Sequence, residues 1–341
     1  MPLVNTALTL KDLPPAPEGK TGWPWTEQTE PLPDRMADGS DWPRISIVTP
    51  NYNYGHFIEE TIRSVLLQGY PNLEYIVIDG GSTDNSVEII KKYEKWLSYW
   101  VSEKDNGQSN AINKGIKKCT GIIFNWLNSD DILTAYSLFH VSSMWIKESP
   151  TILVGSGKIV LEDKCSEWIP NSSQSISPLN LALYCQGGVG MSQPSTFLNL
   201  NAVKGAGGIN ESLNYIMDYT LYLNLLLNQN SVTKGLIPLS HCLSIAKLHK
   251  NAKTFLSWND FEKEMIQVIS ENVIQFPLNE QKILNNHIQR LKTQVLVRNY
   301  ANFCGIKGFL RLLKLFFRQP LFIFSRFYLG ALKNKFLEVI N

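Results

Sequence analysis

The chain has 341 residues, a formal net charge of +2 and 44% hydrophobic residues, enough apolar side chain for a packed core and too much for a disordered polymer. The charge is uneven: residues 301–341 carry Lys307, Arg311, Lys314, Arg318, Arg326, Lys333 and Lys335 against Glu338 alone, so that stretch is +6 and the rest of the chain is −4. An acidic body excludes nucleic acid as the main partner, and the basic excess concerns a partner of the tail alone.

Residues 1–43 are proline-rich and read as an extended arm, with Trp23, Trp25 and Trp42 packing onto the domain that follows. Regular structure starts at Ile45-Ser-Ile-Val-Thr49, a short apolar run closed by Pro50 and therefore a buried strand. Ile58, Ile62, Val65 and Leu66 follow at helical spacing. A second run, Tyr75-Ile-Val-Ile78, ends at Asp79-Gly80-Gly81-Ser82, after which Asp84 caps a helix that turns Val87, Ile90 and Leu97 inward. Residues 108–118 read as a further helix and Gly121–Leu127 as a third strand. Such alternation means an α/β fold whose mainly parallel sheet is flanked by helices on both faces. Ligands of such sheets gather at the carboxyl ends of the strands. Those ends are Pro50–Tyr52, Asp79–Ser82 and Asn128–Asp131, all polar.

After residue 150 the pattern loosens. Strands are expected at 152–154 and 159–161, a mobile loop at 165–192, and helices from Ser257, a capping-box position, and over 279–298. The organisation expected is an arm (1–43), a domain with a nucleotide-binding half (44–135) and an acceptor half (136–255), and a helical extension ending in the basic tail (256–341). The five cysteines, Cys119, Cys165, Cys185, Cys242 and Cys304, are odd in number and form no CxxC pair, so no disulfide framework or zinc knuckle is expected and a reducing, cytoplasmic setting is. Neither a signal peptide nor a membrane-spanning run is expected.

Two constellations carry chemistry on their own terms. Asn128-Ser129-Asp130-Asp131 puts carboxylates at the end of an apolar strand, where burial is costly unless compensated; hard oxygens there suit Mg²⁺ or Mn²⁺ bridging a diphosphate, and they equally suit a turn with a helix N-cap. The Gly80-Gly81 pair lets backbone come close to a ligand, or makes an ordinary tight turn.

The ordered series TPNYNYGHFIEETIRSVLLQGYPNLEYIVIDGGSTDNS, SEKDNGQSNAINKG and GIIFNWLNSDD resembles the nucleotide-binding half of the family 2 glycosyltransferases, strongly over 44–135 and more weakly to about 255. The resemblance implies the GT-A (Rossmann-like) fold, a nucleotide-diphosphate sugar donor and an acceptor hydroxyl on a glycan or lipid-linked glycan. It puts Pro50 and Tyr52 at the nucleobase, with the Tyr52 ring for stacking, and Asp79 at the nucleoside. Asp105, Asn113 and Lys114 would lie where the chain closes over the nucleotide. Many members have a second acid where this chain has Gly80, so the resemblance leaves the base contact usually made by that acid, and the identity of the base, open. Asn128-Ser129-Asp130 stands for the family's DxD, with Asn128 in place of its first acid, Asp130 as the metal ligand and Asp131 beside it.

Met217-Asp218 resembles the family's catalytic Glu-Asp pair. Asp218 would take the acceptor's proton as its oxygen attacks the anomeric carbon in line, with inversion; the same residue could simply cap a helix carrying Leu221 and Leu225. His249 matches a late motif that reaches the metal or diphosphate, and Gln193 would shape the acceptor pocket with Met217. His241 and His287 read as packing or surface residues.

The tail interleaves Phe309, Leu310, Leu312, Leu313 and Phe316 with its basic residues, and Pro320 divides it. It suits an amphipathic helix at an anionic membrane surface, or helical packing on the body. Two other functions compete. A nucleotidyltransferase would need a glycine-rich basic loop where Asn51-Tyr-Asn-Tyr54 stands, and a non-catalytic sugar-nucleotide binder would account for Asn128 and Met217.

Overall fold

Ile45–Asn51 (β1) and Leu73–Asp79 (β2) are buried at every residue, so both faces of each strand are covered. The structure, a computed structural model, describes residues 7–161, 164–168, 177–183, 191–228, 234–248, 258–301, 310–312 and 330–334. β1 pairs in parallel with β2 and with Ile123–Trp126 (β4), and β2 with Tyr99–Ser102 (β3). Parallel neighbours need crossovers. Gly55–Leu66 (α1), Ser86–Tyr93 (α2) and Gln108–Lys118 (α3) provide them. α1 turns Ile58, Ile62, Val65 and Leu66 into the core as its spacing predicts. α2 ends earlier than expected. Leu97 is buried beyond a 3₁₀ turn, and the next residues form β3, a strand the sequence reading did not anticipate.

Beyond β4 the sheet turns mixed. Ile132–Leu133 (β5), Ser137–Glu148 (α4), Pro150–Leu161 (β6), Lys164–Trp168 (β7), Pro178–Ala182 (α5), Thr196–Asn199 (β8), Leu200–Gly205 (α6), Met217–Leu227 (α7) and Lys234–Leu248 (β9) follow. Across the sheet the order is β3-β2-β1-β4-β8-β6-β9-β5, with β7 on β6. The two short strands expected at 152–154 and 159–161 are one twelve-residue strand, β6. Part of the loop expected at 165–192 is instead the antiparallel partner β7 and the helix α5. The expected α/β sheet flanked by helices is the fold that forms.

The arm lies on this unit. Leu8, Leu13 and Trp25 are buried, and the Trp23 indole N–H donates to the Leu133 carbonyl at 2.8 Å. Its anchor is Arg63 of α1, 1% exposed. The guanidinium donates to the carbonyls of Pro14 (2.8 Å), Pro24 (3.1 Å) and Trp25 (3.0 Å) and to the Tyr93 hydroxyl (3.2 Å). A buried cation is tolerable because every direction it points meets an oxygen or the Trp25 ring.

The contacts divide the chain into two compact units, with the described residues up to 248 in the first and those from 258 onward in the second. The second pairs Trp258–Asn272 (α8) with Leu278–Ala301 (α9) through Met265, Ile269, Leu284, Ile288 and Leu291, and Arg298 forms an ion pair with the buried Glu262. In the tail, Leu312 is buried against Val297, and Ala331 and Leu332 join that cluster. Most of 305–341 lies outside the described residues. Among those described, no helix is long and apolar enough to cross a membrane.

His287 is buried in this unit, and among the described residues neither ring nitrogen has a hydrogen-bond partner. Burial first, then Arg290, lowers its pKa from 6.5 to about 4. The unfolded chain therefore binds a proton that the folded chain refuses, and stability falls as pH drops from 6.5 through about 4. Thermal melts of wild type and His287→Leu should diverge over that window, with the leucine variant the less acid-sensitive; parallel curves would show the histidine takes no part.

Candidate active site

The carboxyl ends of β1 to β4 lie along one edge of the sheet, and Pro50, Tyr52, Asp79, Gly80, Asn128, Ser129, Asp130 and Asp131 stand there. Asp79 closes β2. Its carboxylate accepts five hydrogen bonds, from Asn51 Nδ2 (2.7 Å), Ser82 Oγ (2.5 Å), Ser82 N (2.9 Å), Gly81 N (3.1 Å) and Ser102 Oγ (2.6 Å). Burial alone would raise its pKa. These donors win and hold it below the ordinary carboxylate range. Asp79 thus ties together the loops after β1, β2 and β3. The loop after β3 packs on the glycine pair: a Cβ at Gly80 would lie 2.8 Å from Asp105 Oδ2, and one at Gly81, where φ is +82°, 3.3 Å from the Lys104 nitrogen. The backbone that glycine admits here is the chain's own. The Tyr52 ring is 59% exposed beside this edge. Pro50 is buried in β1, and its carbonyl accepts from the Ser129 hydroxyl at 3.1 Å.

The turn after β4 is braced from several elements. Thr61 of α1 donates to the carbonyls of Ser129 (2.8 Å) and Asp131 (2.7 Å). Asn128 accepts from Gln108 Nε2 at 2.7 Å and donates to Asp131 Oδ2 at 3.2 Å and Gln193 Oε1 at 3.3 Å. Gln193 in turn donates to the Trp126 carbonyl at 2.7 Å. Asp131 is buried and Asp130 partly open. Burial, then the Asp130 charge, pushes Asp131 well above the ordinary carboxylate range, against opposing bonds from Asn128 and the Lys247 backbone. The Tyr54 phenol feels the same two carboxylates. The end of β9 is pinned beside them by the Lys247–Glu60 ion pair at 2.7 Å.

This turn fits a divalent cation on its chemistry. Its donors are hard oxygens, and a cation would relieve the repulsion that raises Asp131. Among the described residues no third His, Cys, Asp or Glu completes a cluster, so phosphate oxygens and water would fill the remaining positions. His249 lies outside the described residues.

Asp218 sits in the first turn of α7, half-buried, and accepts from the Tyr219 N–H at 2.8 Å. Burial raises its pKa, outweighing that bond. Met217 receives the Ser109 hydroxyl at 2.7 Å from its sulfur. Consecutive residues of α3 therefore touch both halves of the site: Gln108 meets Asn128 and Ser109 meets Met217. A second bridge is the stacking of Trp126, at the end of β4, on Tyr222, one turn after Asp218. The acidic turn and Asp218 thus lie around the start of α3.

Two residues expected at the nucleotide have partners within the chain. Asn113 donates to the Ile209 carbonyl and Glu211 Oε1 and accepts from Ile209 N, each at 2.8 Å, holding the loop before α7. Lys114 pairs with Glu103 at 2.7 Å. Sequence reasoning passed over Gln108, Ser109, Asn51 and Ser102. Gln108 and Ser109 lie within the quoted DNGQSNAINKG stretch, which gives their presence and not their partners.

Fold and edge together define a GT-A glycosyltransferase scaffold, and the comparisons agree. Residues 46–180 match the family described as Glycosyl transferase family 2. That segment of the chain is similar to the family 2 glycosyltransferases. An uncharacterized glycosyltransferase of Rickettsia typhi is 30% identical over 200 residues, 56% of this chain and 61% of the relative. A putative teichuronic acid biosynthesis glycosyltransferase of Bacillus subtilis, TuaG, is 36% identical over 96 residues, 27% of this chain and 38% of the relative. The match spans between 31% and 61% of the first four curated relatives. In structure, S. aureus TarS 1–349 in complex with UDP-GlcNAc superposes with a TM-score of 0.57 at 20% identity, covering 87% of this chain and 81% of that one. The mannosyltransferase PcManGT of Pyrobaculum calidifontis, in complex with GDP-Man and Mn²⁺, gives 0.50 at 16%, covering 96% and 90%.

Proposed function

We propose that this protein is an inverting glycosyltransferase that moves a hexose-type sugar from a nucleotide diphosphate to an acceptor hydroxyl during synthesis of a cell-surface polysaccharide or lipid-linked glycan. One observation supports this most: at the start of α3, Gln108 bonds Asn128 of the acidic turn and the next residue, Ser109, bonds Met217, the neighbour of Asp218. Asp218, raised by burial, takes the acceptor proton while the acceptor oxygen bonds to the anomeric carbon and the bond to the diphosphate oxygen breaks. Asp130, with Asp131 behind it, would hold a Mg²⁺ or Mn²⁺ ion, and His249 is a further candidate. When bound, that ion supplies positive charge to the departing diphosphate. Tyr52 offers a stacking face to the base, Asp79 holds the floor beneath it, and Gln193 lines the acceptor side. The Mn²⁺ and sugar-nucleotide complexes named for the structural neighbours, and the polymer named for TuaG, are consistent with this reading.

The test is a thermal-shift screen of UDP- and GDP-sugars with and without Mn²⁺. A donor at about a hundred times its Kd adds roughly 2.7 kcal/mol and raises the melting temperature, more so with the cation. A protein that neither binds nor turns over any nucleotide sugar sinks the proposal; binding without turnover favours a non-catalytic role.

The basic residues of 305–341 would hold the enzyme on the inner face of an anionic membrane, at about 1 kcal/mol for each nearby Lys or Arg. Because Leu312, Ala331 and Leu332 pack within the second unit, the informative change is to charge and not length. Lys314, Arg318 and Arg326 changed together to Gln should lower co-sedimentation with phosphatidylserine vesicles at unchanged melting temperature; full retention would count against membrane binding.

A further inference from the structure

Gly80 has no side chain to offer a ligand at this edge, and Asp79 has no open oxygen, because five internal donors already occupy both. Asp105 is differently placed. It follows β3, and its Oδ2 stands 2.8 Å from where a Cβ on Gly80 would be. The carboxylate thus arrives from a neighbouring loop at the spot a side chain at 80 would begin to fill. Its Oδ1 accepts from Gly107 N at 2.8 Å, which fixes the rotamer, while Oδ2 accepts no hydrogen bond from the described residues. Gly80 N donates to the Asn51 carbonyl at 2.8 Å, one residue before the exposed Tyr52 ring. A flat ring to stack on and an acceptor-only group with one open oxygen therefore share this edge.

An ionised carboxylate can only accept. It repels the bare ring nitrogen that cytosine and adenine present at the middle of their pairing edge, and it welcomes an N–H. Uracil offers one such N–H between two carbonyls. Guanine offers two adjacent donors, which call for both carboxylate oxygens, and Gly107 already holds one. Resting on the transferase reading, we propose that Asp105 reads the nucleobase and selects uracil.

Calorimetry with UDP, GDP and CDP in the presence of Mn²⁺ tests this on the full chain. Wild type should prefer UDP. Asp105→Asn presents an amide that can donate to cytosine; it should lose roughly tenfold to hundredfold in UDP affinity and narrow the gap to CDP. Gly80→Ala keeps the carboxylate but displaces it, and should weaken UDP in the same direction. Melting temperatures of both variants check that the fold persists. Unchanged UDP affinity and an unchanged UDP-to-CDP ratio in Asp105→Asn would overturn the assignment while leaving the transferase intact, as would a wild type that prefers GDP. A wild type that binds no nucleoside diphosphate would overturn both.

Discussion

Asp218→Asn is expected to remove most sugar transfer, roughly a hundredfold to ten-thousandfold in turnover, with donor affinity and melting temperature essentially kept. The asparagine oxygen can still accept from the Tyr219 N–H, so the start of α7 need not move. What disappears is the capacity to take a proton. The raised pKa adds a second signature. Burial costs the charged form more than the backbone N–H groups of Tyr219 and of Asp218 itself return to it, so the acid limb of the pH–rate profile should fall above the ordinary carboxylate range. Stopped-time transfer assays across pH read both effects. Turnover within a few-fold of wild type would remove Asp218 from the chemistry.

Arg63→Leu should have the largest effect on stability. It strips donors from three arm carbonyls and from the Tyr93 hydroxyl, which itself reaches Glu59 at 2.8 Å. Some of those carbonyls will recover water at the surface, so the loss is about 3 kcal/mol and not the sum of four charged bonds. In a domain of this size that lowers the melting temperature by roughly 6–12 °C. Arg63→Lys keeps the charge but lacks the planar fork and cannot reach three carbonyls at once; it should fall between. Limited proteolysis should cut within residues 7–43 first in the leucine variant. An arm that resists cleavage as in wild type would show that other contacts suffice.

The first half of the sheet was legible because its signals are local. β1, β2 and β4 are apolar runs ended by polar residues, and Gln108–Lys118 is bounded by Gly107 and Cys119 as the periodicity implies. β3 was lost because Leu97 continues the helical spacing of Ile90 and no glycine or proline separates it from the four-residue strand that follows. The site was legible in its residues and not in their partners. An aspartate at a strand end reads as a ligand contact, yet the five donors on Asp79 come from the ends of β1 and β3 and from the loop after β2, up to 28 positions away. Asn113 likewise resembles a nucleotide contact, and its sequence position gives no sign of the bonds its amide makes to the loop 209–211. Residues that bind each other across the sheet edge leave no spacing rule in one sequence.

α3 grips the segment leading to α7 at a run of points. Ser109 meets Met217, Asn110 and Asn113 share the Glu211 carboxylate at 2.9 and 2.8 Å, and Asn113 also clasps Ile209. The same helix begins at Gln108, which holds Asn128 of the acidic turn. On the proposed reading, one helix start would then couple the donor end to the proposed base, so that a shift of either would be felt by the other.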